Sequence, residues 1–475
     1  MEYNEIVLDD TKGEYLYIQL YNVLKQRIID NDIKSNSKLP AIRKFSNLIN
    51  VNKITIVKAY KMLEEENYVY KKVGSGTYVY DLNINENYID NTYIDYSNNM
   101  INLGSGTPSE ELFPIEDFKD SINYVLDKYK GKAFGYQDSK GDESLRSIIF
   151  NLFLIDKIEV TKEQIQIISG AQQGIDIVSK ALLNARDFVM IESPTYTGAI
   201  AIFKSRGCQF TTIDINYNGI NFKELEEKLK KYRPKVFFTM SNLQNPTGYT
   251  YTKEEKIKIL ELSKKYQFYI VEDDYASELN FSNMKIETLK ELDIEKRVIY
   301  IKSFSKIFLP GLRLGYLIAP EGLEKKISSA KHSTDIYTSG LIQKSFEVFL
   351  KNGKWNNQFD NVYNMFKDKF NIAIDVFEKN LSKEITFNKP LGGVNFWLEF
   401  DQSIDASEVY EYLLIENIIV APGNMFFLNN KKSNCIRISI TSIEKDKLQR
   451  SLTVFCEKIN AFLNSKNKSK RINVL

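Results

Sequence analysis

One stretch of the chain, SFSKIFLPGLRLGY (Ser303 to Tyr316), holds side chains suited to a particular chemistry. A lysine amine that is buried or half-buried and has a depressed pKa can form a Schiff base with an aldehyde, and Lys306 is the candidate for that role. Arg313 follows seven residues later and could clamp a phosphate, to which Ser303 and Ser305 could also donate. A lysine beside a phosphate clamp suggests pyridoxal 5′-phosphate as a cofactor.

That cofactor requires an acid at its pyridine nitrogen and donors at its phenolic oxygen. The stretch FYIVEDDYASEL ends an apolar strand and contains candidates for both roles. Asp273 and Tyr275 have the same parity, so they point to one face while the strand persists. Glu272 and Asp274 would face the other way. We therefore expect Asp273 at the pyridine nitrogen and Tyr275 at the phenolic oxygen.

Three further segments offer groups for the same cofactor. The turn SNLQNPTG supplies Asn245 as a second donor to the phenolic oxygen. The segment ISGAQQGI follows a strand and opens a helix, so the backbone N–H groups of Ala171 and Gln172 are predicted to bind phosphate. In ESPTY, Tyr196 follows another strand and could stack on the pyridine ring.

The composition excludes several other kinds of site. The cysteines are Cys208, Cys435 and Cys456, the only histidine is His332, and none has metal-ligand spacing. A cysteine zinc site, an HExxH site and a Ser-His-Asp triad are therefore not expected, and His332 is interpreted as structural or solvated. With no N-terminal signal and no apolar run of about 18 residues, we expect a cytoplasmic protein.

From about residue 101, short apolar runs alternate with helical segments. The runs are IQIISG, DFVMIES, KVFFTMSN, FYIVEDDY, RVIYIKSFSK and RLGYLIAP. This alternation predicts an α/β fold with a doubly wound, mainly parallel sheet. From about residue 346, a helix followed by FNKPLGGVNFWLEF, NIIVAPG and CIRISIT indicates a smaller α+β domain.

Residues 14–80 form a separate basic module. They hold eleven Lys and Arg against six Asp and Glu, a net charge of +5 in a chain whose net charge is +2. The apolar spacing of Leu16 to Ile29 is helical, and the order that follows is helix, turn, helix and a hairpin, YKKVGSGTYVY. A basic face on this pattern is typical of a module that contacts nucleic-acid phosphates.

The spacing of this module resembles the winged helix-turn-helix of the GntR family of bacterial regulators, over Leu16 to Val79. The resemblance makes Val51 to Leu63 the recognition segment and Gly74 to Gly76 the wing tip. Side chains at the start of a recognition helix meet phosphates and base edges. The residues expected to contact DNA are Arg43, Asn52, Lys53, Thr55, Gly74, Ser75 and Gly76.

The rest of the chain, about 101–460, resembles the fold-type I pyridoxal-phosphate enzymes, and most closely the branch of aminoadipate and kynurenine aminotransferases. The motifs SGAQQGI, SPTY, NPTG, EDDY, SFSK…PGLRLG, PLGGVNFW and NCIR occur in the order of that family. The family usually has Gly where this chain has Lys302. That difference could change the local backbone or add a charge near the site.

The resemblance assigns a role to each candidate residue. Lys306 would be the Schiff-base lysine and proton shuttle, Arg437 would bind a substrate α-carboxylate, and Tyr136 would reach the phosphate of the partner subunit in a homodimer. Lys306, Asp273 and Tyr275 form the expected catalytic set. The expected cofactor-binding residues are Lys306, Asp273, Asn245, Tyr275, Tyr196, Ala171, Gln172, Ser303, Ser305, Arg313 and Tyr136.

A GntR-like winged helix joined to an aminotransferase-like domain resembles the MocR family of transcriptional regulators. The predicted domains are 1–80, a linker at 81–100, a large domain at 101–345 and a small domain at 346–475. The first hypothesis is a homodimeric DNA-binding regulator that senses pyridoxal phosphate, or an amino compound, through Lys306. A narrower form of it makes the cofactor itself the signal.

The alternative hypothesis is an active aminotransferase, converting an amino acid to a 2-oxo acid, that also carries a DNA-binding domain. Every group needed for transamination is present, so the residues alone do not separate the two. The segment Gly104 to Pro108 is predicted to line the pocket that would select the amine. The identity of the effector, the operator and the sign of regulation are left open.

Overall fold

The structure is a computed structural model, and it divides the chain into two compact units, Met1–Tyr96 and Ser97–Leu475. The predicted domain boundaries remain predictions. The residues that the structure describes are 3, 6, 8, 9, 15–30, 32–34, 37–65, 68–72, 76–79, 100–154, 158–215, 217 and 219–472. The predicted linker, 81–100, lies outside them except for its last residue.

The first unit contains three helices and a two-stranded antiparallel sheet. These elements are α1 (Leu16–Ile29), α2 (Ile42–Leu48), α3 (Lys53–Glu65), β1 (Val69–Lys72) and β2 (Gly76–Val79). The helices form because their apolar residues recur on one face, which packs into a common core. Leu20, Leu24, Phe45, Ile56 and Leu63 are all fully buried there. The predicted helix, helix, helix and hairpin order is therefore observed.

The helices of the second unit surround a large sheet. In chain order they are α4 (Ile115–Tyr129), α5 (Glu143–Ile149), α6 (Ala171–Leu182), α7 (Thr197–Ser205), α8 (Phe222–Tyr232), α9 (Lys253–Tyr266), α10 (Glu324–Asp335), α11 (Gly340–Lys351), α12 (Lys354–Asn380), α13 (Ala406–Ile415) and α14 (Lys445–Ile472). Local sequence fixes several starts. Thr252 and Glu255 form a capping box that begins α9, for example.

The large sheet has the strand order β4-β10-β9-β8-β7-β5-β6. Its strands are β4 (Ile165–Ile168), β5 (Phe188–Ser193), β6 (Gln209–Asp214), β7 (Val236–Thr239), β8 (Tyr269–Asp274), β9 (Val298–Ser303) and β10 (Gly315–Ile318). All neighbouring pairs are parallel except those made by β10. The predicted doubly wound, mainly parallel sheet is confirmed, and β6 is a strand that the apolar runs did not indicate.

A smaller sheet follows in the chain, with the order β11-β12-β15-β14. Its strands are β11 (Thr386–Phe387), β12 (Asn395–Glu399), β14 (Ala421–Pro422) and β15 (Cys435–Ser439). A separate parallel pair joins β3 (Ile101–Asn102) to β13 (Ile418–Ile419). The first strand of the second unit is thus held by a segment more than 300 residues later in the chain. Among the described residues, no helix is long and apolar enough to cross a membrane.

We predict that Phe45→Ala destabilises the first unit by about 3–5 kcal/mol, because the change leaves a cavity in its core. Phe45 is fully buried and its ring lies 6.1 Å from that of Tyr60. Hydrogen exchange of the α1 to α3 amides in the full chain measures this free energy. Leu48→Ala on the same helix is the control, because Leu48 is 43% exposed and should change the value by less than about 0.5 kcal/mol. Equal effects of the two changes would contradict the prediction.

Candidate functional site

The candidate site lies at the carboxyl ends of β8 and β9, where open α/β sheets bind their ligands. The two strands are parallel, with Asp273 opposite Ile301 and Asp274 opposite Lys302. The loop that follows β9 carries Lys306. The register therefore brings the two stretches that the sequence singled out to the same edge of the sheet.

Lys306 is held by backbone from the start of the second unit. Its Nζ donates a hydrogen bond to the carbonyl oxygen of Gly106. Burial lowers the pKa of Lys306 to about 8, and the positive charges of Arg437 and Arg313 act in the same direction. A larger fraction of this amine is therefore neutral near pH 7.5 than for an ordinary lysine, which is the state in which an amine attacks an aldehyde.

Asp273 is a buried carboxylate, only 3% exposed. Within the described part of the chain its Oδ1 has no hydrogen-bond partner. Burial raises the pKa of Asp273 to about 7, and the neighbouring Asp274 also raises it while Lys302 opposes the rise. A buried acceptor without a donor calls for one from a ligand, and a protonated pyridine nitrogen supplies a charged donor.

Tyr275 directly follows β8, and Asn245 lies in the loop between β7 and α9. The hydroxyl of Tyr275 donates to the carbonyl oxygen of Leu243 at 2.6 Å and accepts from Nδ2 of Asn395 at 3.2 Å. Nη1 of Arg437 donates to Oδ1 of Asn245 at 3.2 Å. Burial raises the pKa of Tyr275, so its hydroxyl stays protonated and remains a donor. The two predicted phenolic-oxygen donors are thus brought together.

Asn395 was not predicted from the sequence. It is the first residue of β12, and it is buried. The motif PLGGVNFW contains it, but an asparagine in a motif gives no sign of its partner. Its contact with Tyr275 is what orients that hydroxyl.

The antiparallel strand β10 brings the residues predicted to bind phosphate to one edge of the sheet. Ile168, Gly315 and Ser303 stand side by side across β4, β10 and β9. The Oγ of Ser303 donates to the Oγ of Ser305 at 2.9 Å, and the backbone N–H of Ser305 donates to the Oγ of Ser303 at 3.2 Å. Helix α6 begins two residues after Ser169, so its free N–H groups face this same edge.

Gly170, together with the serines and the start of α6, forms a cradle that could hold an anion. It has φ of +85°, and a Cβ placed on it would lie 2.6 Å from Nη2 of Arg313. Arg313 therefore packs directly against the turn that precedes Ala171, the first residue of α6. An anion seated here would meet a guanidinium and a helix N-terminus together.

Tyr196 and Gln172 are linked to each other. The hydroxyl of Tyr196 donates to Oε1 of Gln172 at 2.9 Å. Burial raises the pKa of Tyr196, the charge of Asp273 acts in the same direction, and that of Arg313 opposes it. The ring therefore lies within electrostatic reach of both ends of the site. The side chain of Gln172 fixes this ring, a role that the sequence did not predict for it.

Arg437 is 9% exposed and lies on β15. Besides Asn245, its guanidinium donates to the carbonyl oxygen of Gly104 through Nη2. Its Nε is buried and has no acceptor in the described residues. Burial lowers the pKa of Arg437 to about 10, so it is still a cation at neutral pH. A buried guanidinium with an unused donor fits the carboxylate anchor that was predicted.

Two predicted features lie elsewhere. Tyr136 is 87% exposed, and its ring packs edge-on against that of Tyr337 at 5.8 Å. No contact joins it to the site residues within the described chain, so its role at a partner subunit stays a prediction. Lys302 is buried, and its charge is paired with Asp274 and Glu278. The lysine that replaces the usual Gly therefore does not add a charge on the Asp273 face of the strand.

The described DNA-contacting candidates lie near the starts of α2 and α3 and at the start of β2. Arg43, Asn52 and Lys53 are exposed and Thr55 is half-buried. Oδ1 of Asn52 accepts from the backbone N–H of Ile54 at 2.9 Å, which caps the helix. Gly76 has φ of +135°, a conformation that suits glycine. Gly74 and Ser75 lie outside the described residues.

Two apolar residues on α3 were missed by the sequence interpretation. Ile54 is 61% exposed and Val57 is 46% exposed, on a helix that buries Ile56 and Tyr60. Apolar side chains on a recognition helix can contact thymine methyl groups. The signal was present in KITIVKAY, where apolar residues occupy both faces of a helix that needs only one for packing.

Two family models match this chain. "Aminotransferase class I and II" matches residues 98–455, and "Bacterial regulatory proteins, gntR family" matches residues 16–79. The chain belongs to the aminotransferase class I and II family and carries a GntR-family domain at its N-terminal end. The predicted combination of a GntR-like winged helix with an aminotransferase-like domain is confirmed.

Individual relatives carry different names. The chain is 28% identical to the HTH-type transcriptional regulator NorG of Staphylococcus aureus (strain USA300), over 87% of this chain and 98% of that protein. It is 29% identical to aromatic-amino-acid aminotransferase 1 of Thermococcus litoralis, over 76% of this chain and 88% of the relative. The regulator shares both units, whereas the enzyme matches a shorter part of the chain.

Among solved structures, LysN, the α-aminoadipate aminotransferase of Thermus thermophilus, superposes with a TM-score of 0.72. It is 28% identical and covers 77% of this chain and 93% of its own, and it was solved with N-(5′-phosphopyridoxyl)-L-leucine. The fold-type I prediction is confirmed. The family is one of pyridoxal-phosphate-dependent proteins, so the predicted cofactor is confirmed at the level of the family. The unpaired Oδ1 of Asp273 and the anion cradle at Gly170 fit the ring nitrogen and the phosphate of that cofactor.

We predict that Gly170→Ala weakens binding of pyridoxal 5′-phosphate by about tenfold or more. The left-handed backbone costs an alanine about 1–2 kcal/mol, and the new methyl group displaces Arg313. Equilibrium dialysis of the full chain measures the affinity. Gly311→Ala is the matched control, because a Cβ there meets nothing within 4 Å. The prediction is wrong if both variants bind the cofactor as the unaltered protein does.

Proposed function

We propose that the chain is a pyridoxal-phosphate-dependent DNA-binding regulator whose second unit senses the cofactor, or an amino compound, through Lys306. The observation that carries the proposal is the way two buried cations, Lys306 and Arg437, each bind a carbonyl oxygen of one short segment. That segment begins a few residues after the chain leaves the winged-helix unit. We further propose that the protein acts in the cytoplasm, together with DNA.

Each predicted residue has one task toward the cofactor. Asp273 would accept from the ring nitrogen and favour its protonated form, while Tyr196 would cover the ring. Asn245 and Tyr275 would donate to the phenolic oxygen. The residues around Gly170 would hold the phosphate, namely Ala171, Gln172, Ser303, Ser305 and Arg313. When bound, pyridoxal phosphate supplies an aldehyde that reacts with amines and a ring that withdraws electrons from the attached carbon atom.

Reaction of Lys306 with the cofactor would require its amine to be neutral and to give up its hydrogen bond to the carbonyl oxygen of Gly106. Its lowered pKa of about 8 keeps enough neutral amine for attack near neutral pH, and the same nitrogen accepts a proton when it is released. An incoming amino acid would place its carboxylate against Arg437, whose Nε has no other acceptor among the described residues. Recognition of the ligand thus requires both cations.

Ligand binding would change how the segment Gly104–Pro108 is held. Lys306 bonds the carbonyl of Gly106, and Arg437 bonds that of Gly104. The hydroxyl of Thr441 also donates to the carbonyl of Ser105, at 2.8 Å. A carboxylated amine competes for the first two contacts and leaves the third. The ligand therefore has different contacts in the two arrangements of the segment, which is the requirement for a population shift.

The signal has a short covalent route to the DNA-binding unit. The segment is preceded by β3, which pairs with β13, and before β3 comes the predicted linker. We propose that a change in the backbone at Gly104 alters the pairing of β3 and thereby the start of the predicted linker to the winged helix. We propose that the protein is a homodimer, because two winged helices match two half-sites of an operator and Tyr136 would then meet a partner subunit.

We predict that Arg43→Ala and Lys53→Ala each weaken binding of the operator by about tenfold and lower the slope of log affinity against log salt by about 1. Both residues are exposed at the predicted DNA face. Fluorescence anisotropy at several salt concentrations provides the measurement. Lys326→Ala in α10 removes an equally exposed lysine from the other unit and should change neither quantity. The same loss in all three variants would argue against a specific DNA face.

We predict that one class of carboxylated amine changes the visible absorption of the cofactor-bound protein and also changes its affinity for DNA. Lys306→Ala should abolish both responses, and Arg437→Ala should weaken both by more than about tenfold, because the carboxylate loses its charged partner. Absorption spectra and DNA-binding curves on the same samples provide the two readouts. A spectral response without any change in DNA affinity would contradict the regulator proposal.

The complete set of groups around Lys306 also supports a second function, that of an aminotransferase. The absorption spectrum after addition of the amine and then of a 2-oxo acid distinguishes the aminotransferase from the regulator. Repeated cycling of the absorption with formation of a new amino acid identifies an enzyme. A stable altered spectrum with altered DNA affinity identifies a regulator.

A further inference from the structure

A buried charged cluster lies behind the strand that carries Asp273. Lys302 of β9 is 2% exposed, and its Nζ lies 3.2 Å from Oδ2 of Asp274 and also bonds Glu278. Asp274 and Lys302 are partners in the β8–β9 register, and they point to the face opposite Asp273. The family usually has a glycine at position 302, which could not make these contacts.

The carboxylate of Asp274 accepts three hydrogen bonds. The backbone N–H of Ser277 donates at 3.0 Å, the hydroxyl of Ser277 at 2.6 Å and the hydroxyl of Tyr300 at 2.5 Å. Burial would raise the pKa of Asp274, but Lys302 and these donors outweigh it and lower the pKa. Burial likewise opposes the charge of Lys302, and Asp274 and Glu278 outweigh it and raise that pKa. Both groups are therefore charged.

Asp273 and Asp274 are adjacent buried carboxylates with opposite surroundings. Two neighbouring carboxyl groups in a low-dielectric interior do not both ionise without a compensating cation. Asp274 has three hydrogen-bond donors, whereas Asp273 has none at Oδ1 in the described chain. Without a cation, the proton would therefore go to Asp273 and leave Asp274 ionised.

We propose that Lys302 is a positioning residue whose buried ammonium favours the ionised form of the Asp273 carboxylate from behind the sheet. It thereby sets the pH above which binding of the cofactor's ring nitrogen takes up a proton from the solvent. This inference rests on the proposed function, because it takes Asp273 as the partner of that nitrogen. It gives the unusual lysine a task at a site that its side chain does not touch.

The other groups that act on Asp273 are the same with or without Lys302. Glu192 of β5 is buried and accepts from Thr239, Tyr251, Gln244 and the backbone of Met240. Glu272 of β8 accepts from Ser241 and from the backbone N–H groups of Leu289 and Lys290. Tyr196 and Tyr275 face Asp273 from the site and are protonated. Lys302 is the cation that opposes the summed effect of Asp274, Glu192 and Glu272.

The consequence for binding follows from the proton count. When Asp273 is ionised in the free protein, forming its pair with a protonated ring nitrogen takes up one proton, so affinity falls as pH rises. When Asp273 is already protonated, that proton is present before binding and the pair forms without uptake. Affinity is therefore insensitive to this group below its pKa and falls about tenfold per pH unit above it.

The test measures the affinity of pyridoxamine 5′-phosphate for the full chain between pH 6 and pH 9, by equilibrium dialysis. This probe forms no bond with Lys306, and its own titration is common to all variants. In Lys302→Met, affinity relative to the unaltered protein should rise about tenfold from pH 6 to pH 9. Asp274→Asn, which retains the lysine, should show the opposite trend. Lys302→Arg should follow the unaltered protein.

Lys369→Met is the matched control for the loss of a buried, paired lysine. Lys369 is fully buried in α12 and pairs with Glu111 at 2.8 Å, and it does not act on Asp273. Its relative affinity should be constant with pH. A constant ratio for Lys302→Met as well would overturn the inference and leave Lys302 a purely structural residue. If Lys302→Met does not fold, Lys302→Gln, which removes the charge and keeps a polar side chain, decides by the same trend, and a flat ratio there has the same meaning. Failure of the unaltered protein to bind the probe at any pH would instead refute the proposed function.

Discussion

The cofactor site depends on a carboxylate that is buried without a donor of its own. Removing an ionised group from water is costly unless a charge or hydrogen bonds compensate it. Oδ1 of Asp273 has no donor in the described residues, so a ligand is expected to supply one on that face of β8, while Lys302 pairs with Asp274 on the other. The same unit also buries the cations Lys306, in the loop after β9, and Arg437, on β15 of the smaller sheet. A ligand that carries a protonated ring, a phosphate and a carboxylate matches all of these charges, which explains why a cofactor and an amino acid would be recognised together.

The sheet topology makes that arrangement possible. Because β10 is antiparallel between β4 and β9, it places Ile168, Gly315 and Ser303 in one row. The turn before α6, the loop after β9 and the residues before β10 then meet at one edge. In a wholly parallel sheet, Arg313 would stand at the opposite end of its strand from Ser303. The reversal of a single strand therefore brings together predicted phosphate-binding residues that are more than 100 residues apart in the chain.

The sequence predicted the parts of this site that depend on side-chain type and period. The parity of FYIVEDDY placed Asp273 and Asp274 on opposite faces, as the register shows. It did not predict β6, QFTTID, because polar threonines interrupt its apolar pattern and its first and last residues are exposed. Nor could it predict that Gly104 and Gly106 accept from Arg437 and Lys306. A carbonyl oxygen is present in every residue, so its use leaves no trace in the pattern of side chains.

The partners of Lys302 were unpredictable for a related reason. A lysine in an apolar strand raises the question of where its charge goes, and only the strand register answers it. Glu278 lies in the short helical turn after β8, and its approach to Lys302 depends on how that turn folds back. The departure at Lys302 suggested a disturbance of the cofactor site. The structure instead shows a cation on the reverse face of the strand, paired with Asp274 and Glu278.

Regulation and catalysis would make the same first demand on this chain. Any carboxylated amine that reaches Lys306 must also reach Arg437, so both carbonyl contacts to the segment at Gly104 are exchanged whether or not a reaction follows. An enzyme then has to restore those contacts once per turnover. A regulator gains by not restoring them, because the altered segment leads back through β3 toward the DNA-binding unit. The difference between the two therefore lies in how long the altered arrangement lasts, and not in which residues bind the ligand.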